Sequence, residues 1–255
     1  MITLVQYDWP IIALVLLTIA FSGFIHGAIG LGFPMISTPV IAVFLDVKTA
    51  IVLTLLPTVA VNIATIASAS GFGSIIRSYG PMVAASLVGS IAGTYLLAIS
   101  SPDPFRLMLA ILIVVFLWSS YANRVPRAWL ERFMWPAMVL FGLTAGFSGG
   151  TTNVMVAVLI IYFLALEIPR PTMVPAMNTC FLTGKLAQIG VLSLTGLVSW
   201  QLMVETAPLA VLAVVALRIG QRLQNRIPQA TYRKGLHALL GALAVILLVQ
   251  FALTS

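Results

Sequence analysis

The sequence predicts an all-α polytopic membrane protein built as an inverted repeat, and three observations lead to this prediction. Hydrophobic residues make up 61% of the chain and charged residues only 7%, with a mean hydropathy of +1.12. Soluble domains carry about a quarter charged residues, so most of this chain is not built for water. Glycine-rich segments recur at a fixed spacing, and Lys and Arg are concentrated in a few links. In each half we expect a re-entrant helical hairpin followed by three transmembrane helices.

The composition also excludes several classes of protein. Apolar stretches long enough for a hydrocarbon core of about 30 Å recur along the chain, and no polar block could fold as a separate soluble domain. The net charge of +7 fits basic cytoplasmic loops, and no basic face with interleaved aromatic residues suggests nucleic acid. Cys180 is the only cysteine, which leaves no intrachain disulfide or cysteine-rich metal site. No phosphate-binding GxxxxGK(S/T) string occurs, and we expect no cofactor.

Two glycine-rich segments align when the second is shifted back by 119 residues (146 − 27 and 149 − 30), which pairs Gly146 with Gly27 and Gly149 with Gly30. Further matches follow in the same order: Thr54 with Thr172, Pro57 with Pro175, Pro81 with Pro208 and Gly93 with Gly220. Each match is weak alone, but their constant order indicates a duplicated unit. We predict repeats at residues 1–121 and 135–255, joined by a cytoplasmic linker at 122–134.

The distribution of Lys and Arg predicts the side of each link, because these residues flank membrane segments mostly in the cytoplasm. The linker contains Arg124, Arg127 and Arg132, and a second basic cluster lies at residues 218–234. Residues 194–205 and the tail after residue 250 contain neither Lys nor Arg. We therefore place the two basic links inside and the other two segments outside, with both termini in the periplasm of a bacterial inner membrane.

Residues 135–165 must enter and return on the same side, because both this segment and the helix that begins near Arg170 start inside. About 12 residues per leg make about 18 Å of helix, which is too short for two crossings. We therefore expect a re-entrant hairpin here and a matching hairpin from the other face at residues 9–45. Crossings at 48–70, 80–99 and 104–121 would complete the first repeat. An odd number of crossings gives the second copy the opposite orientation, as in many secondary transporters.

The two predicted hairpin tips, at residues 27–34 and 146–153, are the candidate binding elements. The helices that start at the tips would direct free N–H groups and partial positive charge toward the bilayer centre, which suits an anion. The first tip supplies Gly27, Gly30 and Gly32, and the second supplies Ser148, Gly149, Gly150, Thr151, Thr152 and Asn153. The alternative is that these glycines only allow close helix packing.

Lys185 is predicted within the membrane at about the depth of the tips, about 21 Å along its helix from the inner surface. An ammonium there is costly unless water, a counter-charge or a ligand meets it, and no acidic residue is predicted nearby. An anionic substrate or a tip carbonyl is the expected partner, with snorkelling to the interface as the alternative. Asn62 could line the same cavity, and Asn178 and Gln188 are weaker candidates. His26 could carry a proton, although a packed, hydrogen-bonded histidine is the commoner case.

One string resembles an intramembrane protease. The residues Gly146-Phe147-Ser148-Gly149 match the GxSG pattern of rhomboid proteases, and His237 is on the last predicted helix. A serine nucleophile needs a base within hydrogen-bonding reach. Ser148 is predicted near the midplane and His237 near the cytoplasmic face, so we do not expect an enzyme.

With these motifs placed, the chain resembles the TauE/SafE family of sulfite and organosulfonate exporters, also called TSUP. The resemblance is carried by FSGFIHGAIGLGFPMISTP at 21–39, its weaker copy GLTAGFSGGTTNV at 142–154, the TGLVSW run at 195–200, and a late pattern with Gly220, Arg222 and Arg233. It implies a secondary exporter of a small anion such as sulfite, sulfoacetate or a related organosulfonate. The expected partners are this anion and the lipid bilayer, without nucleic acid. A homodimer stays open, as does an anion or small-solute channel.

Overall fold

The computed structural model describes residues 7–69, 72–119, 127–223 and 229–254. Within these ranges the chain folds into twelve α-helices and contains no strand, which confirms the all-α prediction. Arg124 of the predicted linker and Arg226 of the second basic cluster lie outside the described residues.

The helices are numbered in chain order. The first six are α1 (Trp9–Ile29), α2 (Phe33–Phe44), α3 (Val47–Leu53), α4 (Leu55–Ala67), α5 (Phe72–Ile99) and α6 (Asp103–Ser119). The next six are α7 (Arg127–Arg132), α8 (Met134–Thr152), α9 (Val156–Ala165), α10 (Arg170–Leu194), α11 (Trp200–Leu223) and α12 (Gln229–Thr254).

Three of the described helices are long and apolar enough to cross a membrane: α1, α5 and α11. The pair α3 and α4 would make a fourth span if taken together, although the two helices are bent by 47° at the break between them. Helices of this length and hydropathy are expected only where lipid is the solvent. The chain is therefore a multi-pass membrane protein.

Two short breaks interrupt the helices within the predicted hairpins. Gly30 follows α1 with a φ of 87°, and Asn153 follows α8 with a φ of 66°. Their N–H groups bond to the carbonyl oxygens of His26 and Gly149, four residues earlier. A left-handed residue at this position closes a helix, and glycine or asparagine adopts it most readily. Both helices therefore end for the same local reason.

The helices before the breaks are longer than the predicted hairpin legs. The helices α1 and α8 contain 21 and 19 residues, whereas α2 and α9 contain 12 and 10. At 1.5 Å per residue α1 and α8 are about 30 Å long, so the expectation of about 12 residues per leg is wrong for both. The prediction places Gly27 and residues 146–152 in non-helical tips, whereas the structure keeps them helical and restricts the breaks to residues 30–32 and 153–155.

Glycines remain inside α1 and α8 because other helices pack closely against them. A Cβ atom on Gly27 would lie 2.0 Å from the carbonyl oxygen of Leu217 on α11. A Cβ atom on Gly146 would lie 2.1 Å from the carbonyl oxygen of Ser86 on α5. Close approach through small residues is a common mode of helix association in membranes. The backbones of α1 and α11, and of α8 and α5, therefore touch directly.

A second pair of glycines makes equivalent contacts from the opposite helices. A Cβ on Gly220 of α11 would lie 2.1 Å from the carbonyl oxygen of Phe24 on α1. One on Gly89 of α5 would lie 2.2 Å from the carbonyl oxygen of Leu143 on α8. The contact of Gly89 is therefore the one that matches the contact of Gly220. The sequence alignment instead pairs Gly220 with Gly93, which lies one helical turn after Gly89. Residues four apart lie on the same face of a helix, so the sequence alone does not decide whether Gly89 or Gly93 matches Gly220.

The contacts between helices fall into matched sets. The helix α1 packs against α2 and α11, and α8 packs against α9 and α5. In the same way α4 contacts α11 while α10 contacts α5, and α2 contacts α12 while α9 contacts α6. Two further contacts join α6 to α12 and α4 to α10. The contacts between helices can thus be arranged in similar pairs.

Arginine side chains tie several helix ends together at one end of the bundle. Arg170, the first residue of α10, donates to the carbonyl oxygens of Ala28 and Ile29 at the end of α1. Arg218 of α11 donates to Ser68 Oγ, just after α4, at 3.0 Å. We refer to this end of the bundle, defined by these contacts, as the Arg170 end.

A lysine marks the opposite end of the bundle. Lys48 Nζ, at the start of α3, donates to the carbonyl oxygen of Ala98 near the end of α5 at 3.2 Å. The helix α4 finishes at the Arg170 end, and α5 begins a few residues later. Because α5 finishes beside Lys48, it runs the length of the bundle. We refer to this second end as the Lys48 end.

Candidate functional site

A small cavity lies between α10 and the break that follows α8. The volume open to the centre of a water molecule is about 20 Å³, which is room for roughly one water. The cavity is lined by Pro34, Thr58, Ser90, Gly149, Asn153, Met155, Phe181, Gly184, Lys185 and Gln188. These residues come from α2, α4, α5, α8, α10 and the second break, so both halves of the chain form the wall.

Lys185 places its side-chain nitrogen at this cavity. It lies three residues beyond the middle of α10, a helix of 25 residues, and is 6% exposed. Its Nζ donates to Asn153 Oδ1 and Gln188 Oε1. An ammonium has three hydrogens, so these bonds leave one for another partner. Removing an ammonium from water costs several kcal/mol, and two neutral oxygens offset only part of this cost.

None of the six acidic residues, all of which the structure describes, is a partner of Lys185. They lie near helix ends or in the links between helices: Asp8, Asp46, Asp103, Glu131, Glu167 and Glu205. Two of them, Glu131 and Glu167, pair with Arg127, each at 2.7 Å. No protein carboxylate balances the charge in the cavity, so the local electrostatic field favours an anion.

Hydrogen bonds set the orientation of the Asn153 side chain. Its Nδ2 donates to Thr38 Oγ1 of α2 at 2.9 Å and to Thr54 Oγ1, between α3 and α4, at 3.1 Å. Thr54 uses its own hydroxyl hydrogen on carbonyl oxygens of α3, so its oxygen is the acceptor here. Both amide hydrogens are engaged, which leaves Oδ1 to face the Lys185 ammonium. The second break is thereby tied to the first half of the chain.

Gln188 connects Lys185 to the end of α8. Its Nε2 donates to the carbonyl oxygen of Gly150 at 2.9 Å, while its Oε1 accepts from Lys185. Carbonyl groups in the last turn of a helix lack partners within the helix and carry partial negative charge. The end of α8 therefore stabilises the nearby cation. The sequence suggests a direct bond from Lys185 to a tip carbonyl. In the structure Gln188 lies between the two groups and bonds to both.

The N-terminus of α2 offers fewer hydrogen-bond donors than expected. The N–H group of Phe33 donates to His26 Nδ1 at 3.2 Å. The next residue, Pro34, has no N–H group to offer. The prediction of free backbone donors at the first break is therefore wrong for the first two positions of α2.

Three of the candidate residues line the cavity, namely Gly149, Asn153 and Lys185. The structure places Gly27 against α11, Gly150 against α5, Gly30 and Gly32 in the first break, and Asn62 buried within α4. The hydroxyls of Ser148, Thr151 and Thr152 bond to nearby backbone carbonyl oxygens. Of the second predicted tip, only Gly149 and Asn153 therefore line the cavity, while Pro34 lines it from the first.

The remaining lining residues were not predicted: Pro34, Thr58, Ser90, Met155, Phe181 and Gly184. Phe181 and the weaker candidate Gln188 lie four residues before and three after Lys185, so helical periodicity alone could have found them. Thr58 lies four residues before Asn62 and has the same signal. Ser90 has none, because its place at the cavity depends on how α5 packs against α8.

Ser148 is not arranged as a nucleophile. Its Oγ bonds to the carbonyl oxygens of Ala145 at 2.9 Å and Val154 at 3.2 Å. His237 lies on α12 with its ring edge-on to Phe116, at 6.2 Å between ring centroids. A serine nucleophile needs a base hydrogen-bonded to its hydroxyl, and backbone carbonyls take that place here. The geometry does not favour proteolysis.

Comparison with known proteins identifies the family of the chain. No curated protein and no solved structure matched the chain significantly. A family model described as "Sulfite exporter TauE/SafE" matches residues 15–247, which include both breaks and every residue that lines the cavity. Because the match covers nearly the whole chain of 255 residues, this protein belongs to the TauE/SafE sulfite exporter family.

Proposed function

We propose that this protein is a secondary carrier that exports a small anion, such as sulfite, sulfoacetate or a related organosulfonate. The proposal is carried by one observation: among the described residues, the buried Lys185 ammonium bonds only to the neutral oxygens of Asn153 and Gln188. An anionic oxygen could accept the remaining ammonium hydrogen in a charge-assisted bond, which is stronger than a bond to an amide. Membership of a sulfite exporter family supports a sulfur oxyanion as the substrate class.

Binding of such an anion requires the cavity to expand. The space of about 20 Å³ admits roughly one water, and a sulfite or sulfonate ion is larger than that. The apolar side chains of Met155 and Phe181 line the cavity, and we propose that their displacement would enlarge it. We propose that the two broken helix pairs rearrange as access alternates between the faces of the membrane, as in other carriers with discontinuous helices.

The inverted repeat is part of the proposal, and the matched helix contacts support it. Residues 1–121 and 135–255 would form the repeats, with residues 122–134 between them. The broken pair α1–α2 would correspond to α8–α9, the bent pair α3–α4 to α10, α5 to α11, and α6 to α12. The equivalent backbone contacts of Gly89 and Gly220 support the correspondence of α5 with α11.

We further propose that the Arg170 end faces the cytoplasm of a bacterial inner membrane, which would leave the N-terminus and the C-terminal tail in the periplasm. Basic side chains support this orientation, since Arg170 and Arg218 lie at that end and Arg127 is paired with Glu167 just before α10. Lys and Arg near membrane segments are mostly cytoplasmic.

Cysteine labelling tests this orientation. A membrane-impermeant maleimide added from the periplasmic side should label Ser199→Cys and spare Arg127→Cys. The two positions lie at opposite ends of α10, whose 25 residues span about 37 Å. The native Cys180 is 0% exposed and should give little background. Labelling of Arg127→Cys from outside would contradict the proposed topology.

Counterflow tests the carrier mechanism against the anion channel that shares the same central cavity. Proteoliposomes preloaded with unlabelled sulfoacetate should transiently accumulate labelled sulfoacetate, and the flux should saturate, because a carrier exposes one site alternately. A channel would show neither property. A thermal-shift screen with sulfite, thiosulfate, sulfonates and carboxylates should identify the preferred anion, since a ligand at 100 times its Kd stabilises the folded state by about 2.7 kcal/mol.

A further inference from the structure

A second buried titratable group lies outside the cavity, at His26 near the end of α1. It is 0% exposed, and its Nδ1 accepts the N–H of Phe33 at 3.2 Å. Its Nε2 lies 3.1 Å from Thr65 Oγ1, whose own hydrogen goes to the carbonyl oxygen of Val61 at 2.8 Å. A backbone N–H can only donate, so Nδ1 carries no proton, and Nε2 must be the donor to Thr65. The ring is therefore neutral, with its one hydrogen on Nε2.

Asn178, on α10, lies beside the end of α1 that contains His26, because it bonds to Gly30, whose N–H donates to the His26 carbonyl oxygen. Its Nδ2 donates to the carbonyl oxygens of Gly30 at 2.9 Å and Val174 at 2.8 Å, so both amide hydrogens are used. Its Oδ1 is buried and has no hydrogen-bond partner in the part of the chain that the structure describes. Buried polar atoms are nearly always paired, and an acceptor without a donor beside a histidine requires an explanation.

We propose that His26 is the site of the coupling proton of this carrier, and that a proton on Nδ1 exchanges the hydrogen bond from Phe33 for one to Asn178 Oδ1. The Nε2–H bond to Thr65 is unchanged in this step. One proton is gained, the bond from the Phe33 N–H is broken, and the new Nδ1–H donates to the acceptor that previously had no partner. This inference rests on the proposed function, because only a carrier has transport to couple.

The exchange would act on the wall of the cavity. The N–H of Phe33 begins α2, and the next residue, Pro34, lines the cavity that contains Lys185. A Cβ built on Gly32 would meet nothing within 4 Å, so the break is not closely packed at that position. Loss of the bond from Phe33 to His26 releases the start of α2 from α1. Protonation of His26 and the shape of the cavity are thereby connected.

The charges around His26 decide the direction of coupling. The helices α2 and α4 contain no titratable residue, and α1 has only Asp8 just before its start. The titratable groups on the other packed helices are Arg170, Cys180 and Lys185 on α10, with Glu205, Arg218 and Arg222 on α11. Glu205 is near the distant start of α11, so no acidic side chain is close enough to pair with a protonated His26. An anion bound in the cavity would attract such a proton, so proton and anion should promote each other's binding and move in the same direction.

Paired flux measurements test this coupling. Proteoliposomes containing a pH-sensitive dye would be given labelled sulfoacetate, whose acidic groups stay ionised near neutral pH and so carry no proton. Wild-type protein should acidify the interior as sulfoacetate enters. His26→Asn can still accept the Phe33 N–H through Oδ1 but cannot titrate, so it should keep downhill uptake and lose the pH change. Ser37→Ala removes a bond to the Phe33 carbonyl oxygen on the same helix and should keep both signals.

Histidine NMR tests the site without any substrate. The chain has two histidines, and subtracting the ¹⁵N-histidine spectrum of His26→Asn from that of the wild type assigns His26. Near neutral pH the ring should be the neutral Nε2–H form, with Nδ1 gaining a proton on acidification. Asn178→Asp places a carboxylate beside the ring and should move this protonation to higher pH, whereas Asn178→Leu removes the acceptor and should move it lower. A neutral ring protonated on Nδ1, or a titration that neither Asn178 variant shifts, overturns the proposal.

The outcomes separate this inference from the proposed function. Sulfoacetate uptake without proton movement, or with protons moving the opposite way, overturns the role of His26 and leaves the carrier intact. Acidification of the interior by the His26→Asn protein would also overturn the role of His26 and leave the carrier intact. If wild-type protein carries none of the anions of the thermal-shift screen, the proposed function fails, and the NMR titration then decides separately whether His26 and Asn178 form a proton switch.

Discussion

Replacing Lys185 with methionine is expected to weaken binding of sulfite or a sulfonate about tenfold to a hundredfold. A hydrogen bond to a charged group contributes about 1.5–3 kcal/mol, and about 1.4 kcal/mol corresponds to a factor of ten. Methionine has nearly the same length as lysine but neither charge nor donor. Calorimetry with the anion identified by thermal shift measures the change, and raised substrate concentrations should partly rescue transport.

Leu186→Met is the matched control for this variant. It introduces the same side chain one residue later, at a position that is 54% exposed on the outer surface of α10, and should bind the anion like wild type. Without ligand, Lys185→Met should be at least as resistant to unfolding as wild type, because it removes a buried charge that lacks a counter-ion. Wild-type affinity in Lys185→Met would show that the lysine does not contact the substrate.

Gly149→Val should impair the same site in a different way. A Cβ on Gly149 would lie 2.8 Å from Cε and 3.1 Å from Cβ of Met155, another lining residue. The added bulk fills the cavity without removing its charge, so this variant should stay inactive at any substrate concentration. Rescue of Lys185→Met but not of Gly149→Val by high substrate would distinguish a lost charge from a blocked space.

The second large effect is expected at the glycines where helices touch. Gly27→Ala and Gly146→Ala should each lower the free energy of unfolding by about 1–3 kcal/mol, the range for overpacking a close-packed interior. The added methyl group would lie 2.0 and 2.1 Å from carbonyl oxygens of Leu217 and Ser86, and backbone cannot move aside as a flexible side chain does. Thermal unfolding of the purified variants in detergent measures the loss.

Gly80→Ala is the control for these two substitutions. Gly80 also lies within a long helix, α5, but a Cβ built on it meets nothing within 4 Å. Alanine is favoured over glycine in a helix by about 1 kcal/mol, so this variant should be neutral or more stable. Equal stability of Gly27→Ala, Gly146→Ala and Gly80→Ala would mean that α1–α11 and α8–α5 do not pack by direct backbone contact.

Much of the fold follows from one-dimensional properties of the chain. Low charge content and long apolar stretches require helices in a membrane, because a backbone in lipid must satisfy its own hydrogen bonds. Helix termination at Gly30 and near Asn153 is also local, since it depends on which residues adopt a left-handed conformation. The lengths of the helix pairs were not predictable in this way. One glycine, Gly30, ends a helix, whereas another, Gly27, stays within the helix and lets α11 approach. Which role a glycine has depends on the neighbouring helix.

The candidate site was also predictable only in part from the sequence. Lys185 and Asn153 were identified because an ammonium at membrane depth and an asparagine in a helix break are unusual in themselves. Their mutual hydrogen bond joins residues 32 positions apart, and Asn153 also reaches Thr38, 115 positions away. No local pattern encodes such distances.

By itself the sequence determined that the chain is an all-helical membrane protein. It also predicted a helix break near each glycine-rich segment and a lysine within the membrane. Only the tertiary structure decided that Gly27 and Gly146 belong to helix contacts and that Asn153 and Gln188 hold Lys185. It also decided that His26, rather than free solvent or substrate, takes the first N–H group of α2. The physical reason is that hydropathy and turn preference act on each residue and its near neighbours, whereas backbone approach and the pairing of buried polar groups depend on which helices meet.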